Sequence, residues 1–336
     1  MGKDNKKGID RRSFLKVGAS LAMVSGLGVA RTTHARDTGS LATLIDLSLC
    51  DGCPERDTPA CVSACRARAH KMVPDPVGPI PELFPRGRIE DFSDKKDIID
   101  RFTPYNWLYV EEVQVKHQGN AMVVHIPRRC MHCDYPACAN LCPFSANKKM
   151  PDGAVVIDPD LCFGGAKCRT VCPWHIPQRQ SGIGLYLDVM PTLAGNGTMF
   201  KCDLCHDLVA EGKNPVCMDA CPRQAMIIGP RDAIYAEARD RAEKMHGYIY
   251  GMDENGGTGT VYVSPVPFDV LDAAITKGPG RPGLGPVASR MKAADPLAKA
   301  VLGGPLLGIG AGVIGALAVK GSVKGDEKDK GGSDND

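Results

Sequence analysis

The pattern of apolar and polar positions predicts few long regular elements. Trp107-Leu108-Tyr109-Val110 and Met122-Val123-Val124-His125-Ile126 are rich in aromatic and β-branched residues and predict a strand-bearing segment. Arg231 to His246 is charged and alanine-rich, which predicts a surface helix. Val17 to Ala30 is weakly apolar and too short to cross a bilayer. Ala300 to Val319 is an uncharged run of 20 residues between Lys299 and Lys320. As a helix rising 1.5 Å per residue it spans roughly 30 Å, the thickness of the hydrocarbon core. It is a candidate transmembrane helix; Pro305 and its many glycines keep a glycine-rich tail or a buried helix as the alternative. Gly304, Gly308 and Gly312 recur every four residues, a spacing that lets a neighbouring membrane helix approach closely. Gly321 to Asp336 mixes lysines with acidic residues and reads as a disordered cytoplasmic tail.

At the other end, Lys3, Lys6 and Lys7 precede Asp10-Arg11-Arg12-Ser13-Phe14-Leu15-Lys16 and then the short apolar stretch. The paired arginines resemble a twin-arginine export signal, with Thr33-His34-Ala35 as an imperfect cleavage site. An amphipathic or disordered arm is the plainer alternative. These features divide the chain into a signal over 1–35, a folded domain over 36–277, a Gly/Pro-rich linker over 278–299, a membrane helix over 300–319 and a tail over 320–336.

Composition narrows the function classes. The 336 residues are 43% hydrophobic and 24% charged, an ordinary globular balance, and a net charge of +2 without a basic stripe argues against nucleic-acid binding. The 15 cysteines, 26 prolines and 38 glycines with only 5% aromatic residues point to an interior cross-linked by disulfides or by metal. An odd count and a signal for export in the folded state both favour metal, because clusters are inserted in a reducing compartment. No serine-histidine-acid set, phosphate loop or paired carboxylates stand out, so no substrate chemistry is expected.

The cysteines fall into four groups. Group one is Cys50, Cys53, Cys61 and Cys65; group two is Cys130, Cys133, Cys138 and Cys142; group three is Cys162, Cys168 and Cys172; group four is Cys202, Cys205, Cys217 and Cys221. Groups two, three and four each end in Cys-Pro. A C-x2-C step supplies two thiolates from one tight loop, and a third follows nearby, the ligand spacing of iron-sulfur clusters. Zinc ribbons share the C-x2-C step but not the Cys-Pro ending, and a disulfide framework is disfavoured because adjacent C-x2-C thiols rarely bridge structurally.

Number and order of these groups resemble the four-cluster iron-sulfur subunits of membrane-bound respiratory complexes, such as nitrate, dimethyl sulfoxide and polysulfide reductases and formate dehydrogenase. Within that family the chain is most similar to the hydrogenase-2 periplasmic iron-sulfur component and the second subunit of the high-molecular-weight cytochrome complex. Tyr248 to Thr258, continuing to Val266-Pro267-Phe268, adds to this likeness. The resemblance implies an α+β fold: a duplicated bacterial-ferredoxin-like cluster domain with an inserted β-strand segment, plus a C-terminal transmembrane helix. It also implies pairing of group one with four and of two with three. One cluster then takes Cys50, Cys53, Cys61 and Cys221; a second takes Cys202, Cys205, Cys217 and Cys65; a third takes Cys130, Cys133, Cys138 and Cys172; the fourth takes Cys142, Cys162 and Cys168.

Where the family pattern places the fourth ligand of the last cluster, this chain has Gly165, which offers no ligand atom. Three thiolates suit a [3Fe-4S] cluster beside three [4Fe-4S] clusters. A [4Fe-4S] cluster completed by water or a carboxylate such as Asp160 is the alternative. The implied role is a non-catalytic electron relay on the periplasmic side of the inner membrane, anchored by one C-terminal pass. It would link a catalytic subunit, of hydrogenase or molybdopterin type, or a multihaem cytochrome c, to a polytopic quinone-binding membrane subunit. A hydrogenase is the favoured donor; formate dehydrogenase, a molybdopterin reductase or a multihaem cytochrome complex is the alternative. His132 and His206 are expected to pack or hydrogen-bond rather than ligate, and Lys167, Arg169 and Lys201 to tune cluster potentials at most.

Overall fold

Strand β1 (Leu41–Asp46) and helix α1 (Ala60–Met72) begin a computed structural model that describes residues 39–82, 88–193, 196–289 and 291. Next come the paired strands β2 (Tyr109–His117) and β3 (Asn120–Arg128), helix α2 (Ala137–Asn140), strands β4 (Asn147–Lys149) and β5 (Val155–Ile157), and helix α3 (Lys167–Val171). Strand β6 (Gln178–Gln180), helix α4 (Tyr186–Val189), strand β7 (Thr198–Phe200) and helices α5 (His206–Ala210) and α6 (Val216–Asp219) follow. The chain continues through β8 (Met226–Pro230), α7 (Arg231–Lys244), β9 (Tyr248–Tyr250), β10 (Thr260–Ser264) and α8 (Phe268–Ala274). The chain divides into two units, Met1–Thr38 and Gly39–Asp336. The expected signal over 1–35, and the expected membrane helix and tail, lie outside the described residues. Among the described residues no helix is long and apolar enough to cross a membrane.

Both apolar runs flanking residue 118 become strands of one hairpin, with Gln118 and Gly119 at φ +50° and +82° forming its turn. Two consecutive positive φ values match the right-handed twist of the strands they join. The expected surface helix forms as α7, starting after Pro230 with Asp232 in its first turn and ending with Arg241 and Lys244 in its last. Those charges complement the helix dipole.

A four-stranded mixed sheet in the order β8-β1-β10-β9 supports the rest, with β1 and β10 parallel and both outer pairings antiparallel. Alternation along the central strands splits its two faces. Ala42, Leu44, Val261 and Val263 face α7, where Ile234, Ala238 and Ala242 complete a small apolar core. Ile45 and Tyr262 point the other way, into the main core that also holds Cys61, Cys65, Cys130, Cys202 and Cys217. A separate small core contains Cys162 and Cys168, with Cys138 and Cys142 packed against it.

The segment expected to be a linker from residue 278 is laid along the domain as far as Val287. Phe102 donates to the Gly280 carbonyl at 2.9 Å, Tyr250 to that of Gly285 at 2.8 Å and Asn255 to that of Val287 at 2.8 Å. Arg128 donates to the Gly283 carbonyl at 2.9 Å, and Leu284 is buried. Glycine and proline mark the turns; the partners that fix them come from distant parts of the chain.

Candidate metal-cluster site

Each cysteine group opens on a loop with the same backbone bend. The residue two positions after the first cysteine has positive φ in all four: Gly52 at +73°, His132 at +46°, Gly164 at +68° and Leu204 at +62°. Such left-handed residues turn successive amides toward one side, a concavity suited to anions. The group-three loop keeps the bend although Gly165 stands where a second thiol stands in the others. A Cβ built on Gly165 meets nothing within 4 Å, so the position has room for a side chain. Gly164 differs: its added Cβ would collide with the backbone of Gly197.

Each loop leads to a helix carrying the next thiol. Cys61 and Cys65 lie in α1, Cys138 in α2, Cys168 in α3 and Cys217 in α6. The last thiol of each group is four residues further on, one turn along the same face. The Cys-Pro endings have a local cause. Ser145, His175 and Gln224 donate to the carbonyls of Cys142, Cys172 and Cys221 at 3.2, 3.1 and 3.2 Å, placing proline at the second position of each turn, where its fixed φ is favourable. Beyond the turn the Ala225 amide donates to Cys221 Sγ at 3.4 Å. Gly164 and Met199 amides both donate to Cys162 Sγ, each at 3.4 Å.

All fifteen cysteines are free of disulfides. Cys50, Cys53, Cys61 and Cys221 line one cavity, walled by Pro59, Val110, Pro127 and Met226. Cys65 lies within electrostatic reach of Cys217, Cys202 and Cys205. Cys172 lies within reach of Cys138 and Cys130, as Cys133 does of Cys172 and Cys130. Cys162 lies within reach of Cys142, and Cys168 of Cys162. Thiols of group one thus lie near those of group four, and thiols of group two near those of group three. Among the described residues no three His, Cys, Asp or Glu side chains converge closely enough to hold a single metal ion.

Burial opposes ionisation of these thiols. It pushes Cys50 and Cys138 up to about 11 and Cys172 and Cys202 up to about 12. So many buried thiols become thiolates only beside a cation such as iron. Two buried cations show the complementary need. Arg129 is 2% exposed, and among the described residues its Nε and Nη1 have no hydrogen-bond partner. Lys201, 5% exposed, donates among the described residues to the carbonyls of Val155 and Cys202, the latter at 3.1 Å. Unpaired buried cations cost several kcal/mol, so an anionic group among these thiols fits the residues present. A thiolate-ligated iron-sulfur cluster is such a group.

His132 is buried, and its Nδ1 accepts from the Val155 amide at 2.9 Å. Desolvation, followed by Lys201 and Arg129, holds its pKa well below the usual value, so the ring is neutral with its proton on Nε2. That nitrogen faces Cys202 Sγ at 3.6 Å. His206 Nδ1 lies 2.6 Å from Asp152. Both histidines thus hydrogen-bond. Lys167 is exposed, and Arg169 makes two 2.8 Å bonds to Glu90. Asp160 is exposed too; Asp158 is the carboxylate within reach of Cys162. Arg129, Asp158 and Glu90 escape a reading of the sequence because their partners are brought together only by the fold.

Two family models, each described as a 4Fe-4S dicluster domain, match residues 121–231 and 49–146. Among curated relatives, a protein of Nitratidesulfovibrio vulgaris is 31% identical over 271 residues, covering 77% of this chain and 65% of that protein. The hydrogenase-2 operon protein HybA of Escherichia coli O157:H7 is 28% identical over 306 residues, covering 79% of this chain and 83% of the relative. One subunit of the anaerobic dimethyl sulfoxide reductase of Escherichia coli K12 is 38% identical over 132 residues, covering 39% of this chain and 58% of the relative. The chain thus spans less than two thirds of the first and third of these. With its thiol-lined cavity and buried cations, the chain carries two stretches that match 4Fe-4S dicluster domains and is similar to iron-sulfur subunits of respiratory oxidoreductases.

Proposed function

We propose that the chain is a four-centre electron relay between a periplasmic redox partner and a quinone-reactive membrane subunit. The carrying observation is that Cys221 of group four lines the same cavity as Cys50, Cys53 and Cys61 of group one. Crossing of a last cysteine to the partner group is the ligation pattern of two-cluster ferredoxins. In this reading Cys202, Cys205, Cys217 and Cys65 hold a second centre and Cys130, Cys133, Cys138 and Cys172 a third. Cys142, Cys162 and Cys168 hold the fourth, a [3Fe-4S] cluster, with Gly165 at the vacant position. Each centre, when bound, accepts and passes on one electron.

The electrostatic proximity of Cys61 to Cys217, of Cys202 to Cys130 and of Cys168 to Cys138 supports a succession of centres from the Cys50 site to the Cys162 site. At the Cys162 end Phe144, 50% exposed, stacks on Phe163 with centroids 4.4 Å apart, and Leu141 and Leu161 are also exposed. An apolar surface there suits docking to a membrane-embedded subunit. The twin-arginine motif and the run from Ala300 to Val319 support export and a single C-terminal anchor. HybA, by its name the product of a hydrogenase-2 operon, favours a hydrogenase as donor. Likeness to a dimethyl sulfoxide reductase subunit favours a molybdopterin partner as the second reading.

The test is anaerobic purification of the full chain followed by iron and sulfide analysis and a visible spectrum. About 15 iron atoms per chain and a bleachable broad absorbance are expected. Colourless, iron-free protein would contradict the proposal.

A further inference from the structure

The group-three loop is held by the protein on one side and open on the other. Cys162 Sγ accepts from the Gly164 and Met199 amides, each at 3.4 Å, and Arg179 donates to the Gly164 carbonyl at 3.0 Å. Gly164 lies so close to Gly197 that a Cβ would strike its backbone. Ala166, at φ +53°, then turns the chain into α3, where the Arg169 and Thr170 amides both donate to its carbonyl at 3.1 Å. None of these contacts involves Gly165.

The open side is that of Gly165. This residue is exposed, and a Cβ built on it meets nothing within 4 Å. The same position in the other loops holds Cys53 and Cys205, both buried, and Cys133, half-buried. Cys162 and Cys168 meanwhile share one small core with Ala146 and Met199, and Cys142 packs against it. Three thiols are therefore gathered, while the fourth position has no donor atom and is accessible from solvent.

We propose that Gly165 gives the last centre a preformed, solvent-facing corner that takes up a divalent first-row cation, such as ferrous iron, when the centre is reduced. The inference rests on the three-iron reading of this site. A [3Fe-4S] cluster is a cube short of one metal, and the three sulfides around the gap are soft ligands for such a cation. One electron, from the relay's redox partner or from dithionite, converts the +1 cluster to the neutral one, and the added negative charge draws the cation in. Neutral [3Fe-4S] and Fe2+ then form three new iron-sulfide bonds and give [4Fe-4S] with charge +2. Solvent water completes the coordination of the added iron, and no proton or further electron moves. A thiol occupies this corner in the other three loops, so uptake should be confined to the Cys162 site. The form of the relay's last carrier would thus follow the free iron around it.

The test uses the full chain, purified anaerobically and oxidised, with its three-iron signal quantified by EPR. The protein is reduced with dithionite, given excess ferrous ion, passed over a chelating resin and reoxidised with a mild dye. Wild type should lose most of its three-iron signal while its iron rises from about 15 to about 16 atoms per chain. Ferrous ion without the reductant should leave the signal in place. Gly165→Leu, whose side chain fills the corner without offering a ligand, should keep its signal and its iron count after the full treatment. A wild type that keeps its signal would overturn the inference, and any rise in its iron would then be an adventitious ion only. Equal loss of signal from Gly165→Leu would overturn it too, because the ion would be entering elsewhere. Loss without reductant would overturn the dependence on reduction. A fully loaded wild type with no three-iron signal at the outset contradicts the three-iron reading instead, a distinct result.

Discussion

Nε2 of His132, in the group-two loop, lies 3.6 Å from Sγ of Cys202, in the group-four loop 70 residues away. The ring cannot turn around, because the Val155 amide occupies Nδ1. An N–H aimed at a ligand sulfur stabilises added electron density on it. His132→Asn, which tolerates the positive φ of this position, should lower the potential of the Cys202 centre by the worth of one hydrogen bond. That is about 1 kcal/mol, roughly fivefold in the equilibrium constant. A redox titration reads it, and the Cys50 centre should not move.

Glu90 braces the vacant loop from two sides. Its carboxylate receives both Arg169 donors at 2.8 Å and lies 3.2 Å from Arg179, which itself donates to the Gly164 carbonyl at 3.0 Å. Burial works against the charge, but the Arg169 and Arg179 interactions prevail and hold Glu90 below its usual pKa. Glu90→Gln leaves Arg179 buried without its partner and should cost about 1–3 kcal/mol in urea unfolding. A depressed carboxyl stabilises the fold above its ordinary pKa, so the difference from wild type should shrink as pH falls below 4.5.

Adjacent glycines of one loop should respond in opposite ways. Gly164→Ala combines positive φ with a collision against Gly197 and should deplete iron from the last centre. Gly165→Ala enters open space and should leave iron content unchanged. Iron analysis of the two purified variants decides.

Stripping the iron exposes the cost of the buried thiols. A thiol raised to about 11 or 12 favours the folded state below its ordinary pKa of 9.0 and opposes it as pH rises beyond. The iron-free chain under reductant should lose about 1 kcal/mol for each such thiol between pH 8 and pH 10. Urea midpoints measure this. The loaded protein, whose thiols are already ionised on iron, should show no comparable fall.

Local patterns were legible in the sequence, and partnerships across the fold were not. The spacing of Cys50 to Cys65 or Cys130 to Cys142 announces loops and helix turns because backbone geometry sets it within a few residues. Helix α7 and the β2–β3 hairpin announce themselves by composition. Arg129 looks like any arginine ahead of a cysteine until β1 and β10 bring Thr43 and Thr260 against it. Gly165 was visible as a break in a repeat; that its loop keeps the bend of the other three needed the backbone. Asp160 stood nearest in sequence to the vacancy, yet the turn at Pro159 leaves it exposed and gives Asp158 the reach to Cys162.

The three-iron centre at Gly165 is tested most directly by EPR of the oxidised, anaerobically purified full chain beside its Gly165→Cys variant. A three-iron signal in the wild type, replaced in the variant by a four-iron signal seen only on reduction, is the predicted result. Absence of the three-iron signal from a fully loaded wild type, with Gly165→Cys changing nothing, would contradict it.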